Sequence, residues 1–196
     1  MIRVAAILIA LAGSVSAQGL PQPMAPCLAT HFDADRYRAD LEALGWAFIP
    51  ALSRATQIDR LADAFGALSV PEGTAPEDID ARSRAIWRDR GEEAMIFEGG
   101  GQTLMMAGVV ADDDSARVTI RCYLTVPDPA TLTAGFDAAS AQGKLTEGTT
   151  QSFSVTQRNT DLGQTFEITF VRPDPTTAST APAGLATRFD FPATAD

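Results

Sequence analysis

Apolar residues along this chain recur at two spacings, and the change from one to the other divides it in two. In the first half they fall three and four apart, the helical period, and from residue 94 onward they alternate, the period of a strand with one buried face. Residues 33–45 carry Tyr37, Leu41 and Leu44 on one stripe, with Asp33 or Asp35 as the cap and Gly45 at the left-handed end. Residues 46–50 read as a short strand or an extended link. Behind Ser53 as a cap, Ile58, Leu61, Phe65 and Leu68 predict a second helix. Residues 70–76 interrupt the pattern, and a third helix begins at Pro76 among acids, turns Ile79, Ile86 and Trp87 inward and ends at Gly91.

The alternating half starts with a three-stranded meander, MIFE, TLMMAGVVA and RVTIRCYLTV, joined by GGGQ and DDDSA. The middle run, Leu104 to Ala111, is apolar on both faces and therefore suits a strand covered on both sides. In RVTIRCYLTV, Val118, Ile120, Cys122, Leu124 and Val126 share one face, and Arg117, Thr119, Arg121, Tyr123 and Thr125 share the other. Asp128-Pro129 opens a short helix that buries Leu132 and Phe136. SFSVTQR and TFEITFVR form a hairpin with Phe153, Val155, Phe166, Ile168 and Phe170 inward, and ATRFDF adds a last strand with Phe189 and Phe191 inward. Helices first and hairpin-linked strands afterwards predict an α+β fold, an antiparallel sheet of five or six strands with the helices packed on one face.

Residues 1–17 have Arg3, an apolar run from Val4 to Ala12 and Val15-Ser16-Ala17, the plan of a secretory signal peptide. Cleavage after Ala17 removes one of the 196 residues' positive charges and moves the net charge from −10 to −11. Residues 18–32 then read as an irregular lead-in and 33–196 as a single domain, periplasmic or secreted, with no segment for membrane insertion. An acidic chain repels nucleic acid. In an oxidising compartment the two cysteines, Cys27 and Cys122, are expected to pair. The chain-entropy model assigns a loop of that length about 4.7 kcal/mol.

Little else in the sequence carries chemistry. His31, the one histidine, has Asp33 and Asp35 nearby, but no Gly-x-Ser-x-Gly elbow accompanies it. Cys27, His31 and Cys122 lack a fourth ligand, so no metal is expected, and no motif asks for a cofactor. Asp112-Asp113-Asp114-Ser115 lacks the glycine and closing glutamate of a calcium loop, and Gly99-Gly100-Gly101 leads into a strand, unlike a phosphate cradle. Two basic groups stand out in this acidic chain: Arg82, Arg84, Arg88 and Arg90 on the third helix, and Arg117, Arg121 and Tyr123 on the polar sheet face. Asp78 and Asp80 lie four residues before Arg82 and Arg84, the spacing of helical ion pairs. The expectation is a non-catalytic binding or accessory protein whose partner is an envelope protein or a small ligand. Alternatives are a small hydrolase using His31 or a carboxylate pair, and a carrier holding an apolar ligand among Phe136, Phe153, Phe166 and Phe170.

Overall fold

The computed structural model describes residues 21–29, 33–110, 117–141, 144–146, 150–173 and 181–193. Four α-helices are described, α1 (Ala34–Ala43), α2 (Ala55–Ser69), α3 (Ile79–Glu92) and α4 (Thr133–Ser140). Eight strands are described: β1 (Ala47–Phe48), β2 (Met95–Gly99), β3 (Gln102–Val110), β4 (Arg117–Val126), β5 (Lys144–Thr146), β6 (Thr150–Asn159), β7 (Gln164–Pro173) and β8 (Ala183–Pro192). They form one sheet in the order β1-β2-β3-β4-β8-β7-β6-β5, every neighbour antiparallel. The fold is α+β with helices preceding the sheet, and the sheet is larger than the five or six strands expected. The strands beyond those six are the two short edges: β1, which the sequence offered as a short strand or an extended link, and the three-residue β5, too short to show a period.

Local chemistry explains the helix ends. Asp33 caps α1 by accepting from the Arg36 amide at 3.0 Å, and Gly45 has the positive φ of 83° that ends it. Asp128 caps the turn before α4 by accepting from the Ala130 amide. At α2 the expected Ser53 cap is absent, because Ser53 belongs to a 3-10 turn, Ala51–Ser53, and the helix starts after Arg54. Arg54 instead donates through Nη1 to the carbonyls of Gly91 and Ala94, tying the start of α2 to the end of α3. Gly91 does not terminate α3, which runs on to Glu92. A Cβ there would come within 2.5 Å of Ile58 Cδ1, so the glycine allows α2 and α3 to approach closely.

The sheet is covered on both faces. On the face of Cys122, Ile120 and Leu124 lie α1, α4 and a 3-10 helix, Gln22–Leu28, which place Tyr37, Leu41, Phe136, Met24 and Cys27 in one apolar cluster. On the other, α2 and α3 bury Ile58, Leu61, Phe65 and Trp87 against Ile96, Met105 and Val171. The expectation that helices pack on one face is corrected here. The alternation of β3 carried the sign of it, with Leu104 and Met106 in the first cluster and Met105 in the second. The expected irregular lead-in is also ordered in its middle, since Met24 and Cys27 are wholly buried. The four phenylalanines proposed to line a ligand cavity pack on other rings instead: Phe136 lies 5.7 Å from Phe153 and 5.6 Å from Phe170, and Phe166 lies 6.1 Å from Phe189.

ATRFDF is the last strand in the chain, and it lies in the middle of the sheet. β8 pairs with β4 from Arg117↔Pro192 to Val126↔Ala183 and with β7 from Thr165↔Asp190 to Val171↔Gly184. Gly184 is glycine because the Phe65 ring sits on it, 2.5 Å from where a Cβ would stand.

Cys27 and Cys122 form a disulfide with Cα atoms 6.1 Å apart and a sequence separation of 95. Replacing both by alanine should lower the unfolding free energy by about 2–5 kcal/mol. Denaturant unfolding of the double variant against the oxidised parent measures it, and equal midpoints would show that the bridge adds nothing to the core around it.

Candidate functional site

The second basic group of the sequence, Arg117, Arg121 and Tyr123, divides in the structure. Arg117 is held at the sheet margin, its Nη2 donating to the Gly163 carbonyl in the β6–β7 turn at 2.9 Å. Tyr123 is half-buried beneath α2 and α3, with its ring 4.8 Å from Trp87 and 5.7 Å from Phe65, edge-on to both. Arg121 is exposed and, among the described residues, has no ion-pair or hydrogen-bond partner. It stands where the helical cover of the sheet ends, on the margin of a groove of about 270 Å³ between α2, α3 and strands β4, β8 and β7.

Register explains which side chains reach that groove. Arg121 pairs directly with Arg188 of β8, and Arg188 pairs in turn with Glu167 of β7. One row further along, Tyr123, Ala186 and Thr169 stand side by side. Side chains opposite each other in an antiparallel pair have Cβ atoms about 4.5–5.5 Å apart, and like charges so placed repel. Arg188 is partly neutralised: its Nε lies 2.9 Å from Asp190 Oδ2, and Thr119 donates to Asp190 Oδ1 at 2.5 Å. From α3, Arg90 reaches the groove with its guanidinium 4.9 Å above the Trp87 ring. Trp87 Nε1 donates to Ser69 Oγ at 3.2 Å, which fixes the indole as a wall of the site.

The first basic group separates as well. Arg84 is bound by three carboxylates, Asp59 at 2.7 Å, Asp63 at 2.9 Å and Asp80 at 3.0 Å, and the hydrogen bonds to Asp80 and Asp59, with the nearby charge of Asp63, raise its pKa above the usual arginine value. It joins α3 to α2, so its charge serves packing of the helix pair. Arg82 makes a 3.9 Å contact with Asp78 across one helical turn. Arg88 is exposed on α3 and does not line the groove. Of the helix arginines Arg90 alone lines it, together with Arg121 and Tyr123 of the second group.

Arg188, Glu167 and Thr169 were missed by sequence reasoning. In ATRFDF the alternation puts Arg188 opposite Phe189, which marks it as facing away from the aromatic side, but nothing in that pattern says which strands flank it. His31 and Asp112-Asp113-Asp114-Ser115 lie outside the described residues. Gly99-Gly100-Gly101 forms the β2–β3 turn, with φ of 57° at Gly100 and 77° at Gly101, which suits a tight hairpin.

Among the described residues no group of three or more His, Cys, Asp or Glu side chains could hold a metal ion, and no helix is long and apolar enough to cross a membrane. No family model matches the chain, nor does any curated protein or solved structure.

The helix that roofs the groove is fixed to the sheet by Glu98 of β2, which accepts from Gln57 at 2.5 Å and from Arg60 at 2.7 Å. These two hydrogen bonds, Arg60 first, hold the Glu98 carboxyl below the usual glutamate range. A depressed carboxylate contributes stability above its unfolded pKa of about 4.3, and the contribution disappears as pH falls through the folded value. Glu98→Gln should therefore flatten the acid limb of the stability–pH curve and change little below it. Thermal unfolding between pH 2 and 7 checks this, and an unchanged acid limb would remove Glu98 as the anchor.

Proposed function

We propose that this chain is an exported, non-catalytic binding protein and that it recognises an anionic ligand or partner at the groove between α2–α3 and strands β4, β8 and β7. The observation that carries this reading is the placement of Arg121 directly opposite Arg188, with Arg90 reaching the same groove, in a chain of net charge −10. Several other cations are held within the chain: Arg38 by Glu42, Arg60 by Glu98, Arg84 by three aspartates. Two guanidiniums held side by side are costly without a counter-charge, and guanidinium is the donor best suited to oxyanions.

Export is supported by the apolar run ending in Val15-Ser16-Ala17 and by the Cys27–Cys122 bridge, which belongs in an oxidising space. A binding role rather than catalysis is supported by the carboxyl chemistry. Glu98, held low by its hydrogen bonds from Arg60 and Gln57, is shifted opposite to the direction a general acid needs.

Native purification at low salt tests the reading. Mass spectrometry of the denatured product should find an anionic compound or acidic protein with the parent protein, released by about 1 M salt, at which electrostatic screening acts within about 3 Å. The Arg90→Ala, Arg121→Ala double variant should retain little of it. Equal retention by the variant would move recognition to another surface.

A further inference from the structure

The groove has an apolar floor and a charged rim. Its floor is formed by Tyr123 and Ala186 of the sheet, and Leu68 of α2, which is 38% exposed, lines it from the roof. Trp87 is almost wholly buried and covered by Arg90, so it shapes the wall and offers no open ring face. On the rim, Arg90, Arg121 and Arg188 face two carboxylates, Glu167 in the groove and Asp190 on Arg188. Three guanidiniums against two carboxylates leave one net positive charge.

Resting on the anion-recognition reading above, we infer that the ligand is a small monocarboxylate with an apolar body of a few carbons. A single carboxylate can take paired N–H donors from one guanidinium while the neighbouring cation balances its charge. A dianion would bring a second charge toward Glu167 with nothing to neutralise it. The volume of about 270 Å³ lies just under the range of about 300–1,000 Å³ of pockets for drug-sized molecules, which sets the size. Leu68 and Tyr123 give the body a surface on which to leave water, a gain that the head group alone cannot collect. The cross-strand arginine pair then has a reason: it remains under-neutralised until the carboxylate arrives.

Titration calorimetry of the full chain at low salt and pH 8 decides between the components. Hexanoate and phenylacetate should bind in a saturable way, and acetate or hexan-1-ol, head or body alone, should bind at least about tenfold more weakly. Phenyl phosphate, dianionic at this pH, should bind more weakly than phenylacetate. Arg121→Ala should weaken hexanoate by at least about tenfold, and Leu68→Ser should weaken hexanoate while leaving acetate unchanged. Circular dichroism checks that both variants, at exposed positions, remain folded. If phenyl phosphate or acetate equals or exceeds the apolar monocarboxylates and still depends on Arg121, the monocarboxylate inference falls and anion recognition stands. If no anion binds in an Arg121-dependent way, both fall.

Discussion

The C-terminal strand β8 is hydrogen-bonded on both edges, to β4 over Arg117–Val126 and to β7 over Thr165–Val171. The remaining strands pair in two separate runs, β1 to β4 and β5 to β7, and β8 is what makes them one sheet. Both apolar layers depend on that continuity. α2 lies across β3, β4, β7 and β8, so its ridge of Ile58, Leu61 and Phe65 has a continuous floor only when β8 is in place. On the opposite face Leu185, Phe189 and Phe191 of β8 lie in the same cluster as Ile120 of β4 and Phe170 of β7. Pairing a C-terminal strand with a partner so distant in sequence carries a large loop-closure cost and makes for slow folding. The disulfide ties the 3-10 helix Gln22–Leu28 to β4 at Cys122, whose register partner on β8 is Thr187.

The groove proposed for recognition is a by-product of this arrangement. Arg121 and Arg188 are adjacent because of the β4–β8 register, and a slip of β8 by one residue would send Arg188 to the aromatic face, away from Arg121. α2 and α3 cover the sheet as far as Tyr123 and Ala186 and stop short of the arginine row, which leaves a step from apolar cover to charged surface. The helix pair is locked by Arg84 on its aspartates and by Arg54 on the carbonyls at the end of α3, and anchored to β2 through Glu98. Within the helix pair Arg84 is neutralised by its aspartates, whereas Arg121 at the edge has no ion-pair partner among the described residues.

Much of this was legible in the residues themselves. The alternation of RVTIRCYLTV placed Cys122 in the core and Arg121 and Tyr123 on the other face, and the compartment implied by residues 1–17 paired Cys122 with Cys27. Asp33, Gly45 and Asp128 announced their caps because capping is local chemistry. What could not be read was non-local. The polar face of β4 looks solvated in sequence, yet Tyr123 is half-buried under Phe65 and Trp87. Gly91 resembled a helix terminator and is a close-packing site, a distinction that depends on Ile58 of another helix. Arg188 became visible only once β8 was known to lie between β4 and β7.

The central claim is that the β4–β8 register sets two cations against each other for the sake of recognition, at a cost in stability. Charge reversal at Arg121 isolates it, since Arg121→Glu turns a repelling cross-strand pair into an attractive one without touching the core. The unfolding free energy of Arg121→Glu at low ionic strength should exceed that of the parent by about 0.2–1 kcal/mol. A loss of more than about 1 kcal/mol would show that Arg121 supports the fold, contrary to the account given for it.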